Sequence, residues 1–125
     1  MKRAAAIAFF VVLLASCRDN DSPTNFGGTY QYIARDSVGT IHESGVLNLT
    51  SNGHMAEGEL LLSDQEQILL AGMITSGTIH LERSVGCHNC FYTIDGTLDV
   101  DGILGTWSRG RLIVEAKGTF TARRF

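Results

Sequence analysis

From Tyr30 onward, apolar and polar residues alternate in short runs. Tyr30, Tyr32 and Ala34 share one parity, as do Gly45, Leu47 and Leu49, and then Ala56, Gly58, Leu60 and Leu62. Later, Tyr92, Ile94, Gly96, Leu98 and Val100 alternate with Thr93, Asp95, Thr97 and Asp99. Leu112, Val114, Ala116, Gly118, Phe120 and Ala122 alternate with Glu115, Lys117, Thr119 and Thr121. A period of two is the signature of a strand with one dry face and one wet face. No stretch carries a helical period. The pattern predicts strands near residues 28–36, 41–50, 54–63, 66–74, 77–85, 90–100, 102–108 and 111–124. Asn52-Gly53 and Asp101-Gly102 are two-residue hairpin signals, since a type I′ turn needs positive φ at both centres. Ser76-Gly77 and Gly110 mark two further turns.

Glycine followed by threonine and an apolar residue recurs at Gly28, Gly77, Gly96, Gly105 and Gly118. Glycine inside a strand marks a bend or a close approach. Several bent strands predict a sheet coiled into a closed barrel, which also removes its edges. The expected fold is all-β, an eight-stranded antiparallel up-and-down barrel over residues 26–125; an open sandwich of the same strands is the alternative. The single proline, Pro23, lies ahead of it. In such a meander the odd turns share one end: Ser37 to Thr40, Asp64 to Gln65, Gly86 to Asn89, and Arg109 to Gly110. The chain entry, the Asn52-Gly53 turn and the C-terminus share the other. The parity sets Trp107 with Ile103 and Gly105, opposite Leu104 and Thr106, and outside the core that holds Tyr30 and Phe120.

The chain begins with Lys2-Arg3, an apolar run from Ala4 to Leu14, and Leu14-Ala15-Ser16-Cys17. The run is shorter than the roughly 20 residues needed to span a bilayer. It resembles the signal peptide and lipobox of bacterial lipoproteins. That resemblance implies a leader over 1–16, acylation of Cys17, and a polar tether over 17–25. It also implies a lipid-anchored protein of the bacterial envelope. Arg18 after the cysteine favours the outer membrane in a Gram-negative cell. The whole chain has 10 basic and 13 acidic residues, and loss of Lys2 and Arg3 leaves a formal charge of about −5. A mildly acidic surface argues against nucleic acid as a partner.

Gly28-Thr29-Tyr30 at the first strand and Arg123 or Arg124 at the last resemble the opening motif and late arginine of the lipocalin and calycin barrels. There, a late arginine packs across the first-strand aromatic. The resemblance implies a barrel holding a small apolar or amphipathic ligand, with Tyr32, Leu47, Leu60, Tyr92 and Ile94 as candidate lining. It implies no catalytic residue and no cofactor. The alternative is an interaction module, an inhibitor or assembly factor, that docks an envelope protein through the loops away from the lipid.

Cys87-His88-Asn89-Cys90 fits a disulfide across a turn between the fifth and sixth strands, because a four-residue turn brings its end Cα atoms within about 7 Å. A redox motif or a metal site are the alternatives. No metal is assigned: a closed zinc site needs four ligands, and His80 stands about 23 Å back along an extended strand. His42, His54, His80 and His88 read as surface residues, as do Glu57 and Glu59. Arg109 and Arg111 are free-end positions suited to meet an acidic group, or are solubility charge. No Ser-His-Asp set or phosphate loop is readable.

Overall fold

The alternation becomes eight strands: β1 (Gly28–Asp36), β2 (Ile41–Asn52), β3 (Met55–Leu62), β4 (Gln67–Thr75), β5 (Thr78–Arg83), β6 (Cys90–Asp99), β7 (Gly102–Arg111) and β8 (Ile113–Arg124). They come from a computed structural model that describes residues 26–86 and 88–125. The expected leader, Cys17, the tether and Cys87 lie outside the described residues. Each strand pairs antiparallel with the next, and β8 returns to β1, closing the barrel. This is the eight-stranded up-and-down barrel expected from the sequence.

Closure is set by register. Tyr30 stands opposite Arg124 and Asp36 opposite Gly118 across β1 and β8. Bulges interrupt the ladder at Ala34/Arg35 and at Arg109/Gly110. Two glycines show how the strands coil. A Cβ at Gly118 would fall 1.7 Å from the Arg35 carbonyl oxygen, and one at Gly105 would fall 1.9 Å from that of Asp95. Only a residue without Cβ lets neighbouring backbones meet there; Gly72, followed by Met73, meets the His80 carbonyl as closely, so tight approach is shared by glycines inside and outside the glycine–threonine recurrence.

One continuous core fills the interior, with Tyr30, Tyr32, Leu47, Leu60, Tyr92, Trp107 and Phe120 all buried. The end where the chain enters is plugged by Phe26, fully buried, whose carbonyl accepts a 2.6 Å hydrogen bond from the Tyr30 hydroxyl. The Arg124 guanidinium lies 5.1 Å over the Tyr30 ring and donates to the Gly27 carbonyl. The late-arginine expectation therefore holds, with Arg124 in the role.

Three expectations need correction. Trp107 is in the core: the face of Ile103, Gly105 and Trp107 points inward, and Leu104 points out. Its indole nitrogen is satisfied by the Arg35 carbonyl at 2.9 Å. Val100 is not a core residue but stands in the β6–β7 turn, 90% exposed. Leu112 and Val114 are also exposed, because the β7–β8 hairpin turns at Leu112 and projects past the core.

Candidate functional site at the barrel mouth

The inward parity of β2 runs from Leu49 through Leu47 and Gly45 to Glu43, and that of β7 runs from Ile103 through Trp107 to Arg109. Two charged residues thus point into the mouth at the free end. A bare charge there would lose hydration without return. The structure pairs them: Arg109 Nη1 donates to Glu43 Oε2 at 2.8 Å. Its Nη2 donates to both carboxylate oxygens of Glu66, from the β3–β4 turn, at 2.8 and 3.1 Å. The guanidinium also lies 5.3 Å over the ring of Tyr92, its cross-strand partner.

The network continues inward. The Tyr92 hydroxyl donates to Glu43 Oε1 at 2.7 Å. Its single proton is thereby used, so the Tyr32 hydroxyl, 2.7 Å away, must be the donor to Tyr92. Rings support the chain from both sides. Tyr32 stacks on Phe120 at 5.5 Å, Tyr92 stacks on Trp107 at 6.1 Å, and His42 lies 5.2 Å from Trp107. Burial pushes both phenols above their ordinary range; for Tyr92 the neighbouring Tyr32 and the Glu43 charge add to it. Burial alone would weaken the charge on Arg109, but its hydrogen bonds to Glu66 and the Glu43 carboxylate charge outweigh it and hold the guanidinium firmly charged. Among the described residues no buried side-chain polar atom lacks a partner.

The five candidate lining residues are all buried in the core. Tyr32 and Tyr92 meet through their hydroxyls, Leu47 faces Leu60 across β2 and β3, and Ile94 faces Trp107. Arg109 does meet acidic groups, and both belong to this chain.

Around this mouth the rim mixes polar turn residues such as Asp64, Gln65 and Asn89 with exposed apolar ones. Val38, Ile41, Val85, Leu112, Ile113 and Val114 are all exposed. Val38, His42, Val114 and Ala116 border an open cleft of about 440 Å³ between the β1–β2 turn and the start of β8. Leu112 holds φ at +65°, the left-handed region that a bulky residue seldom adopts. Its amide donates to the Asn89 carbonyl at 3.1 Å, so the β5–β6 turn braces the hairpin. An open cleft of about 340 Å³ beside Glu43, Asp64 and Arg109 adjoins the mouth.

Elsewhere, His80 Nδ1 donates to Asp95 on the outer face, with Glu82 3.4 Å from Nε2. The Asp95 hydrogen bond raises the His80 pKa, but the group is solvated and reads as a surface ion cluster. Among the described residues no group of three or more histidine, cysteine, aspartate or glutamate side chains is placed to hold a metal. Compared with known protein families, curated proteins and solved structures, the chain matches no family model, no curated protein and no solved structure.

Proposed function

We propose that this is a lipid-anchored envelope protein whose barrel docks another envelope protein through its free end. The observation that carries it is the exposed apolar rim, with Leu112 held in a strained conformation at its tip. Strain and exposed apolar surface persist together where a surface is used for contact. The Arg109 network across the mouth supports the rim as the recognition surface, with the network as its floor. The anchor is the acylated Cys17, which precedes the chain's entry into the barrel at Phe26, at the opposite end. A bridge between Cys87 and Cys90 would stiffen the β5–β6 turn that braces Leu112.

A small-ligand role ranks second. It draws on the barrel fold, but Tyr32, Leu47, Leu60, Tyr92 and Ile94 would have to give up core contacts to make room. The test is photo-crosslinking in intact cells from a reactive residue placed at Ile113, with Glu57 on the outer face of β3 as control. A discrete protein adduct from position 113 alone is expected. Adducts equal at both positions, or a lipid retained by the released protein in native mass spectrometry, would count against docking. Loss of fatty-acid labelling in Cys17→Ser checks the anchor separately.

A further inference from the structure

The apolar residues at the other end of the barrel have a different neighbour. Val100 caps the β6–β7 turn at 90% exposure, and the C-terminal Phe125 is 79% exposed. Backbone hydrogen bonds tie the last two residues to the β6–β7 turn and to β1 beside the chain entry, where Phe125 also borders a cleft with Gln31, Val46 and Leu61. Arg124 donates its amide to the Asp101 carbonyl, and Phe125 donates to the Thr29 carbonyl at the start of β1. Met55 and Met73, paired across β3 and β4, expose more apolar surface toward the same end.

We propose that this end seats on the lipid surface, with Val100 and Phe125 entering the boundary between headgroups and acyl chains. The inference rests on acylation of Cys17. The length of chain between that residue and the barrel then names the occupant. Eight residues, 18–25, separate Cys17 from Phe26, so the two lie nine chain steps apart. Fully extended, that length of chain reaches at most about 30 Å. A tether so short holds the barrel's entry end at a millimolar effective concentration over the membrane. An interfacial contact far too weak to bind from solution is populated under that constraint. Seating this end turns the Leu112 rim away from the bilayer, toward a partner.

Charge at this end is balanced. Arg123 and Arg124 are exposed, and Asp99 and Asp101 flank Val100. The seat therefore depends on apolar insertion and not on the basic clusters that draw proteins to anionic lipid.

The test places single indoles in the acylated full chain, as Val100→Trp and Phe125→Trp, with Val38→Trp at the free end as control. All three positions are exposed, so the fold tolerates them, and the buried Trp107 supplies a constant background. Each protein is reconstituted in phosphatidylethanolamine–phosphatidylcholine vesicles carrying brominated acyl chains, with and without phosphatidylglycerol. Indoles at 100 and 125 should lose at least half of their emission. The one at 38 should match wild type, and phosphatidylglycerol should change nothing. Equal quenching at all three positions, or none at 100 and 125, overturns the proposal. So does a blue shift at 100 and 125 that follows protein density without bromine quenching, which would mean that a second copy covers this end. Intact mass beforehand reports whether Cys17 is acylated. If it is not, the anchor reading fails on its own, and the same vesicles still test the seat with a synthetic diacyl chain coupled at residue 17.

Discussion

At the scale of single residues, the barrel mouth depends on Glu43 serving two donors at once. One oxygen takes the Tyr92 hydroxyl and the other takes Arg109. Arg109→Ala leaves the Glu43 carboxylate, only 12% exposed, without its cation. A cost of about 1–3 kcal/mol follows from a half-satisfied buried acceptor. The double mutant with Glu43→Ala should recover part of it, with a coupling of roughly 0.5–3 kcal/mol in urea melts. Strict additivity would mean that the pair is ordinary surface charge. The phenols predict an alkaline limit. Both are raised in the fold above the ordinary value near 10. Their contribution is complete below pH 10 and is lost as pH climbs from there toward the folded values. Each costs up to about 1.4 kcal/mol per pH unit over that range. Tyr92→Phe should be less stable at neutral pH yet show a shallower decline above pH 10, read by urea melts from pH 8 to 11. Glu43 shares the parity of Leu47 and Leu49, but as a polar residue it ends the apolar run and hides the inward face from the sequence pattern. Arg109 extends the parity of Trp107 in the same way. Glu66 lies in a turn, where alternation carries no signal.

At the scale of elements, the sequence marks all eight strands to within a few residues, because period-two patterning and glycine turns act locally. Inward direction was harder. In β7 the inward set includes Gly105, which adds no hydrophobic weight, while Leu104 on the outer face does, so the alternation alone points Trp107 the wrong way. In β8 the alternation continues to Leu112 and Val114, beyond the point where the barrel has a core to cover. The bulge at Arg109/Gly110 carries β7 through the expected turn to Arg111, and the later turn at Leu112 leaves these residues in solvent. Two substitutions separate these roles. Gly118→Ala forces a methyl group into the Arg35 carbonyl and must part β1 from β8, costing about 1–3 kcal/mol. Leu112→Gly removes the left-handed penalty and should stabilise by about 1 kcal/mol, while abolishing the crosslinked adduct at the free end. A Leu112→Gly protein less stable than wild type would show that the leucine serves the fold and not the contact.

For the whole molecule, closure is what gives the two ends different work. With β1 paired to β8 the described sheet has no free edge, so recognition falls to the rims. One rim carries the chain entry and its Phe26–Arg124 plug, the other the Arg109 network and the hairpin of Leu112. The seam between them is held by Phe120, buried in β8, stacked on Tyr32 of β1, and within reach of a Cβ at Gly96 in β6. Truncation to alanine empties a site that three strands share. Phe120→Ala should cost about 3–5 kcal/mol, a large share of the roughly 5–15 kcal/mol that holds a domain folded. Thr119→Ala, one residue away on the outer face, should change stability by less than about 0.5 kcal/mol. Thermal melts of the two side by side decide the point. If Phe120→Ala melts within a degree or two of wild type, the last strand does not close the barrel, and the division of labour between its ends loses its structural basis.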